Sequence, residues 1–180
     1  MRSSNQKAPE DKLGKILSYL VAISTIIGIP TGLYSYLSSL HDKKVERTYE
    51  YYRDFRSEAF QKEWVLLLTR WNEKASEVKQ ILEVKDFARL QSLASGLINQ
   101  DDAGKTAFAK TIGFFDESYA CIENELCDHN VAVVLLKSPA SEFVSAFGSY
   151  IISVRKDYNN AKYGAGAYKI RALEKKFSVL

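Results

Sequence analysis

The chain predicts an all-α fold, one N-terminal transmembrane helix followed by an antiparallel helical bundle, on three observations. Residues Ile16 to Leu40, ILSYLVAISTIIGIPTGLYSYLSSL, contain no charged side chain and are bounded by Lys15 and His41. As a helix at about 1.5 Å per residue this run is roughly 37 Å long, against a hydrocarbon core of about 30 Å. Beyond it, apolar residues recur at steps of three and four, the spacing of one helix face. Finally, the 180 residues include only three prolines and no Asn-Gly or Asp-Gly hairpin dipeptide, which disfavours strands joined by tight turns. The resulting division is an N-terminal tail over residues 1–15, a transmembrane helix over 16–40 and a helical soluble domain over 41–180.

The tail contains Ser3, Ser4, Asn5 and Pro9, a polar composition typical of a mobile terminus. A secretory signal also starts with a basic segment and an apolar run. This run is longer than a signal's apolar region, and no small-x-small cleavage site follows it, so it is expected to stay as an anchor. Within it Ser24, Gly28 and Gly32 stand at i, i+4 and i+8, a small-residue face of the kind that lets helices pack closely in lipid. Small residues are also simply common in membrane helices. Pro30 removes a backbone donor and predicts a kink beside that face. Tyr19, Tyr34 and Tyr36 fall towards the two ends, where amphipathic rings suit the headgroup level.

The soluble part starts with DKKVERTYEYYRDFRSE, in which Val45, Tyr49, Tyr52 and Phe55 keep a helical spacing that continues or restarts the anchor helix. One apolar face is expected to hold Trp64, Leu67, Trp71, Ala75, Val78 and Leu82; such a stripe is far more often core than ligand box. Phe87, Leu90, Leu93, Ala94 and Leu97 mark a further helix that ends between Asn99 and Gly104. Asp101 and Asp102 offer a cap for the next, whose seam of Phe108, Ile112, Phe115, Tyr119, Ile122 and Leu126 predicts the central core helix. Asp128 caps a short segment with Val131, Val133, Val134, Leu135 and Leu136, readable as helix or strand. Ser138-Pro139 reads as a fresh helix start, opening a stripe of Phe143, Phe147, Ile151 and Val154. The last segment is interrupted at Gly164 and Gly166 and then resumes with Tyr168, Leu173 and Phe177.

Composition limits the chemistry. A hydrophobic share of 46% and a charged share of 26% suit a folded domain, and a net charge of +3 is too small to indicate nucleic acid as a partner. The most basic stretch, Arg155 to Leu180 with Arg155, Lys156, Lys162, Lys169, Arg171, Lys175 and Lys176, is better explained as a solvated face than as a lipid or nucleic-acid patch. Cys121, Cys127 and His129 form the cluster closest to a site. C-x5-C-x-H supplies three zinc ligands at an unusual spacing where a structural site takes four, and nucleophilic catalysis there lacks an orienting partner. Gly164-x-Gly166 has neither the third glycine nor the preceding strand of a dinucleotide loop. No catalytic, metal or cofactor residue is therefore assigned.

Orientation rests on weak signals. Arg2, Lys7, Lys12 and Lys15 precede the span and Lys43, Lys44, Arg47, Arg53 and Arg56 follow it, a balance that decides little. Six residues apart on one helix, Cys121 and Cys127 would point to opposite sides about 9 Å apart along the axis, poorly placed to bridge. With no Asn-x-Ser/Thr acceptor either, a reducing, cytoplasmic setting for the domain is favoured.

A single amino-terminal span, the run RTYEYYRDF, then FFDESYACIENELCD, and a helix ending YIISVRKD resemble an uncharacterised family of small bacterial membrane-anchored helical proteins. Tyr52, Phe115, Asp116, Cys121, Cys127, Asp128, Tyr150 and Arg155 carry the resemblance. It implies a single-pass anchor in a bacterial inner membrane and an all-helical domain, and no activity. The expected function class is a binding, scaffold or sensing module, with the lipid bilayer, a protein partner and further copies of itself as partners. Two alternatives are an oligomeric, pore-forming or membrane-perturbing effector assembled through Ser24, Gly28 and Gly32, and an enzyme using the Cys121, Cys127 and His129 region.

Overall fold

The computed structural model describes residues 10–175, with side chains described at Ser24 and from Ile27 onward. Seven helices and no strand occur among the described residues, so the all-α expectation holds. The chain divides into two compact units between Asp42 and Lys43. The first helix, α1 (Glu10–Arg56), has residues in both units and runs unbroken through Pro30. Proline leaves the Ile26 carbonyl without its helical donor. One residue on, the Thr31 hydroxyl donates to the Ile27 carbonyl at 2.7 Å.

From Lys43 the second unit is a helical bundle around α5 (Asp102–Glu123) and α6 (His129–Asp157). The seam predicted for α5 is buried at Phe108, Ile112, Phe115 and Ile122, while Tyr119 is half-buried. Leu126 lies beyond the helix end and is exposed. In α6, Phe143 brings together four rings, with centroids of Phe115 and Phe147 each at 5.5 Å, Phe108 at 5.7 Å and Trp64 at 6.1 Å. Such pairs add about 0.5–1.5 kcal/mol each beyond the area they bury.

The stretch from Val131 to Leu136 is helical and not a strand, and Ser138-Pro139 does not start a helix: α6 runs through both, with Asp128 as its N-cap accepting from the Val131 N–H at 2.8 Å. An interior proline costs about 3 kcal/mol. Burying Leu136 before it and Phe143, Phe147 and Ile151 after it gains about 1.5–3 kcal/mol for each side chain, which outweighs that cost. Among the described residues, α6 is also the helix long and apolar enough to cross a membrane. Its buried stripe identifies it instead as the core helix of this bundle.

Around this pair lie α2 (Glu58–Asn72), α3 (Ala75–Glu83), α4 (Phe87–Asn99) and α7 (Ala165–Arg171). The continuous face expected from Trp64 to Leu82 is broken after Asn72. Trp64 and Leu67 of α2 enter the main core, whereas α3 turns Val78 and Ile81 inward against Leu90 and leaves Leu82 exposed. Periodicity alone does not register a break that restarts the helix a turn later. Ser57 caps α2 and Asp101 caps α5 through their side chains, the latter accepting from the Gly104 N–H at 2.7 Å.

The break expected at Gly164 and Gly166 is present, and both glycines have a stated cause. Gly164 has φ +65°, a conformation that side chains resist, and a Cβ on Gly166 would overlap the backbone of Phe115 and Asp116. The Asp116 carboxylate accepts from both amides, at 2.7 Å from Gly164 and 2.6 Å from Gly166. It thereby seats the start of α7 on α5.

Candidate functional site

Two surfaces stand out, one in each unit. On α1 the side chains of Ile27, Ile29, Leu33, Tyr34, Tyr36 and Leu37 are all more than half exposed. Successive residues on a helix point about 100° apart, so these side chains cover about half of its circumference. The predicted small face lies on the other side, with Thr31, Ser35, Ser38 and Ser39. Ser24 is exposed, and a Cβ placed on Gly28 or Gly32 would meet nothing within 4 Å. Tyr19 and the other side chains from Ile16 to Ala22 lie outside the described residues, as do the basic residues Arg2 and Lys7.

The second surface is built at the end of α5, and here the sequence expectation is corrected. Cys121 and Cys127 do not share a helix, because α5 ends at Glu123 and the chain folds back over the next four residues. The N–H groups of Leu126 and Cys127 donate to the Cys121 carbonyl, at 2.9 and 3.1 Å, and Glu125 takes the left-handed conformation with φ 56°. The turn brings the two Cα atoms to 5.3 Å, and the cysteines form a disulfide. Both are 5% exposed, and neither is left as a thiol. The geometric ground for a cytoplasmic domain is thereby removed. So is the thiolate that zinc binding or nucleophilic attack would require.

His129 serves another purpose. Its Nε2 meets the Glu174 carbonyl at 2.7 Å, and since a carbonyl only accepts, this nitrogen is the one bearing hydrogen. With Lys137 donating to the Leu173 carbonyl at 2.7 Å, it holds the segment after α7 against α6. No group of three His, Cys, Asp or Glu side chains among the described residues is placed to hold a metal.

Beside the disulfide, the last turns of α1 and the last turns of α5 enclose an open cleft of about 590 Å³. Arg47, Glu50, Tyr51, Asp54, Glu117 and Asn124 line it, with the Cys121 side of the disulfide at its wall. Three carboxylates against one guanidinium make it locally acidic. A second open groove, of about 440 Å³, runs between α4 and α6 and presents Gln91, Ser92, Ser95, Tyr150, Ser153 and Asp157. In the second groove the Ser153 hydroxyl donates to the Asp157 carboxylate at 3.4 Å, longer than the roughly 2.6–3.2 Å expected of a nucleophile and its base.

The basic residues near the C-terminus do not act as one patch. Arg155 is turned inward, where its Nε donates to the Tyr163 carbonyl at 2.6 Å and its guanidinium lies 4.9 Å from the Tyr168 ring centroid. The Tyr168 hydroxyl in turn donates to the Gly148 carbonyl at 2.7 Å, and burial raises its pKa above the ordinary phenol value. Lys176 lies outside the described residues.

Comparison with known protein families, with curated proteins and with solved structures returned no match.

The sequence placed Ser24, Gly28 and Gly32 on a common face and they remain there. It did not anticipate the acidic cleft, whose lining comes from two helices separated by some sixty residues in the chain. The signal that was present is Cys121, Asn124 and Cys127 around a non-helical Glu125: paired cysteines close to a helix end can meet across a turn even when helical spacing would hold them apart.

Proposed function

We propose that this protein is a single-pass, membrane-anchored helical binding module. In this proposal residues 16–40 cross the bilayer, the helical unit from Lys43 holds a protein partner, and the chain performs no chemistry of its own. The observation that carries it is the exposed apolar surface of α1 from Ile27 to Leu40, part of an uncharged run that begins at Ile16 and whose other side holds glycine, serine and threonine. An uncharged helical run of this length is long enough to span a bilayer, and its large apolar side chains are exposed in the folded chain. The resemblance carried by RTYEYYRDF and FFDESYACIENELCD supports a bacterial inner membrane as the location.

Carbonate extraction of membranes from cells expressing the full chain tests the anchor. The protein should stay in the pellet, and Ile29→Arg with Leu33→Arg, each costing about 2.5–3.5 kcal/mol near a span centre, should shift it to the supernatant. Release of the unaltered chain by carbonate would refute the anchor.

The alternative of an oligomeric membrane effector has its own support in the open surroundings of Gly28 and Gly32. Close packing of a second copy on this face is compatible with the binding module and would give it a paired form.

A further inference from the structure

We infer that the unit from Lys43 onward matures on the oxidising face of the membrane, with the tail before the span on the cytoplasmic face, and that the Cys121–Cys127 disulfide is a covalent clasp holding the α5–α6 turn on α1. The topology rests on the anchor proposed above; the clasp does not.

The cysteines indicate the compartment. The chain has two cysteines in all, and both are in the bond. Thiol pools in the cytosol keep such pairs reduced, whereas secretory and periplasmic compartments form and retain them. The basic residues, four before the span and five after it, differ by one and set no orientation of their own.

What the bond holds is also specific. The residue directly after Cys127 is Asp128, whose N–H donates to the Thr48 hydroxyl of α1 at 2.8 Å while its carboxylate caps α6. Thr48 is 1% exposed, and its own hydroxyl donates to the Lys44 carbonyl at 2.8 Å. Lys44 also pairs with Glu125 of the same turn, at 3.8 Å. The turn, the start of α6 and α1 thus meet at one point. The disulfide fixes the conformation of the piece that makes the contact. Both sulfurs are buried, so the bond is suited to permanence rather than to cycling.

Formation of the bond is a two-electron oxidation. Each thiol loses a proton, the sulfurs join, and the two electrons and two protons pass to the disulfide of a thiol–disulfide oxidant, which leaves as a dithiol.

The experiment uses the full chain with a C-terminal epitope in a bacterial host that has a periplasm. Cells are quenched in acid, free thiols are blocked with N-ethylmaleimide, and samples are treated with a polyethylene-glycol maleimide with or without prior reduction. A two-label shift seen only after reduction is expected, and it should be lost in a host lacking its periplasmic thiol oxidant. In parallel, added protease should remove the epitope from intact spheroplasts. Blocked thiols without reduction, or an epitope protected in spheroplasts and cleaved in inverted vesicles, would overturn the assignment. Carbonate extraction of the same cells separates the two proposals: a pelleted protein with free thiols refutes the topology and the clasp and leaves the anchor, and a released protein with an intact disulfide refutes the anchor and the topology and leaves the clasp.

Discussion

The Asp128 N–H donates to the buried Thr48 hydroxyl across 80 positions of sequence, joining the N-cap of the core helix α6 to the helix that carries the uncharged run. Thr48→Val keeps the shape and removes the acceptor, leaving the amide with the Lys44 carbonyl at 3.2 Å. The amide therefore keeps a partner, and the loss is that of one hydrogen bond, about 0.5–1.5 kcal/mol. The variant should unfold several degrees below the parent in detergent, and Thr48→Ser should recover most of the loss. Equal melting temperatures for parent and Thr48→Val would mean that the hydroxyl contributes nothing to the junction.

Asp116 has a comparable task at the start of α7, receiving the amides of both Gly164 and Gly166. Hydrogen bonds to a charged group are worth about 1.5–3 kcal/mol each. Asp116→Ala should release α7 before the rest unfolds, seen as faster hydrogen exchange at Ala167 and Ile170, both fully buried in the parent. Asp116→Asn should fall between the two. Unchanged exchange in Asp116→Ala would show that apolar packing alone seats α7.

The acid limb of stability has an identifiable contributor in Asp101. The hydrogen bond from the Arg70 side chain, 2.7 Å away, and then that from the Gly104 amide hold its pKa below the ordinary 3.8. A carboxylate depressed by folding stabilises the native state above its unfolded pKa, and that contribution disappears as pH falls through the lower folded value. Between pH 4 and 2, Arg70→Met should therefore lose less stability than the parent does. Denaturant titrations at several pH values would reveal this, and parallel profiles would exclude the pair as a source of acid sensitivity.

How far the sequence revealed this molecule depended on the range of the interaction. Helix identity, the caps at Asp101 and Asp128 and the α5 core seam are local, set by spacing and by a side chain reaching its own backbone. The break at Asn72, which faces Ile81 rather than Leu82 inward, answers to the separate small core around Leu90. Pro139 misled because it satisfies a local start rule, while the burial of Phe143 and Phe147 on one side and Leu136 on the other holds a single helix through it. The disulfide and the acidic cleft were hidden for one reason. Both depend on α5 ending at Glu123, after which a left-handed Glu125 returns the chain to Cys121.

The small-residue face gives the most direct test of assembly. Gly28 and Gly32 have open space where a side chain would begin, so replacing either disturbs nothing within the chain and only obstructs a neighbour. Close approach of two backbones needs that space: a leucine at Gly28 would hold a second helix away by the width of its side chain. In a membrane self-association reporter, Gly28→Leu and Gly32→Leu should each reduce the signal several-fold. Ile29→Ala lies about 100° around the helix from Gly28 and should leave the signal near the parent level. Equal signals from all three variants and the parent would remove Ser24, Gly28 and Gly32 as a packing face and leave the span as an anchor alone.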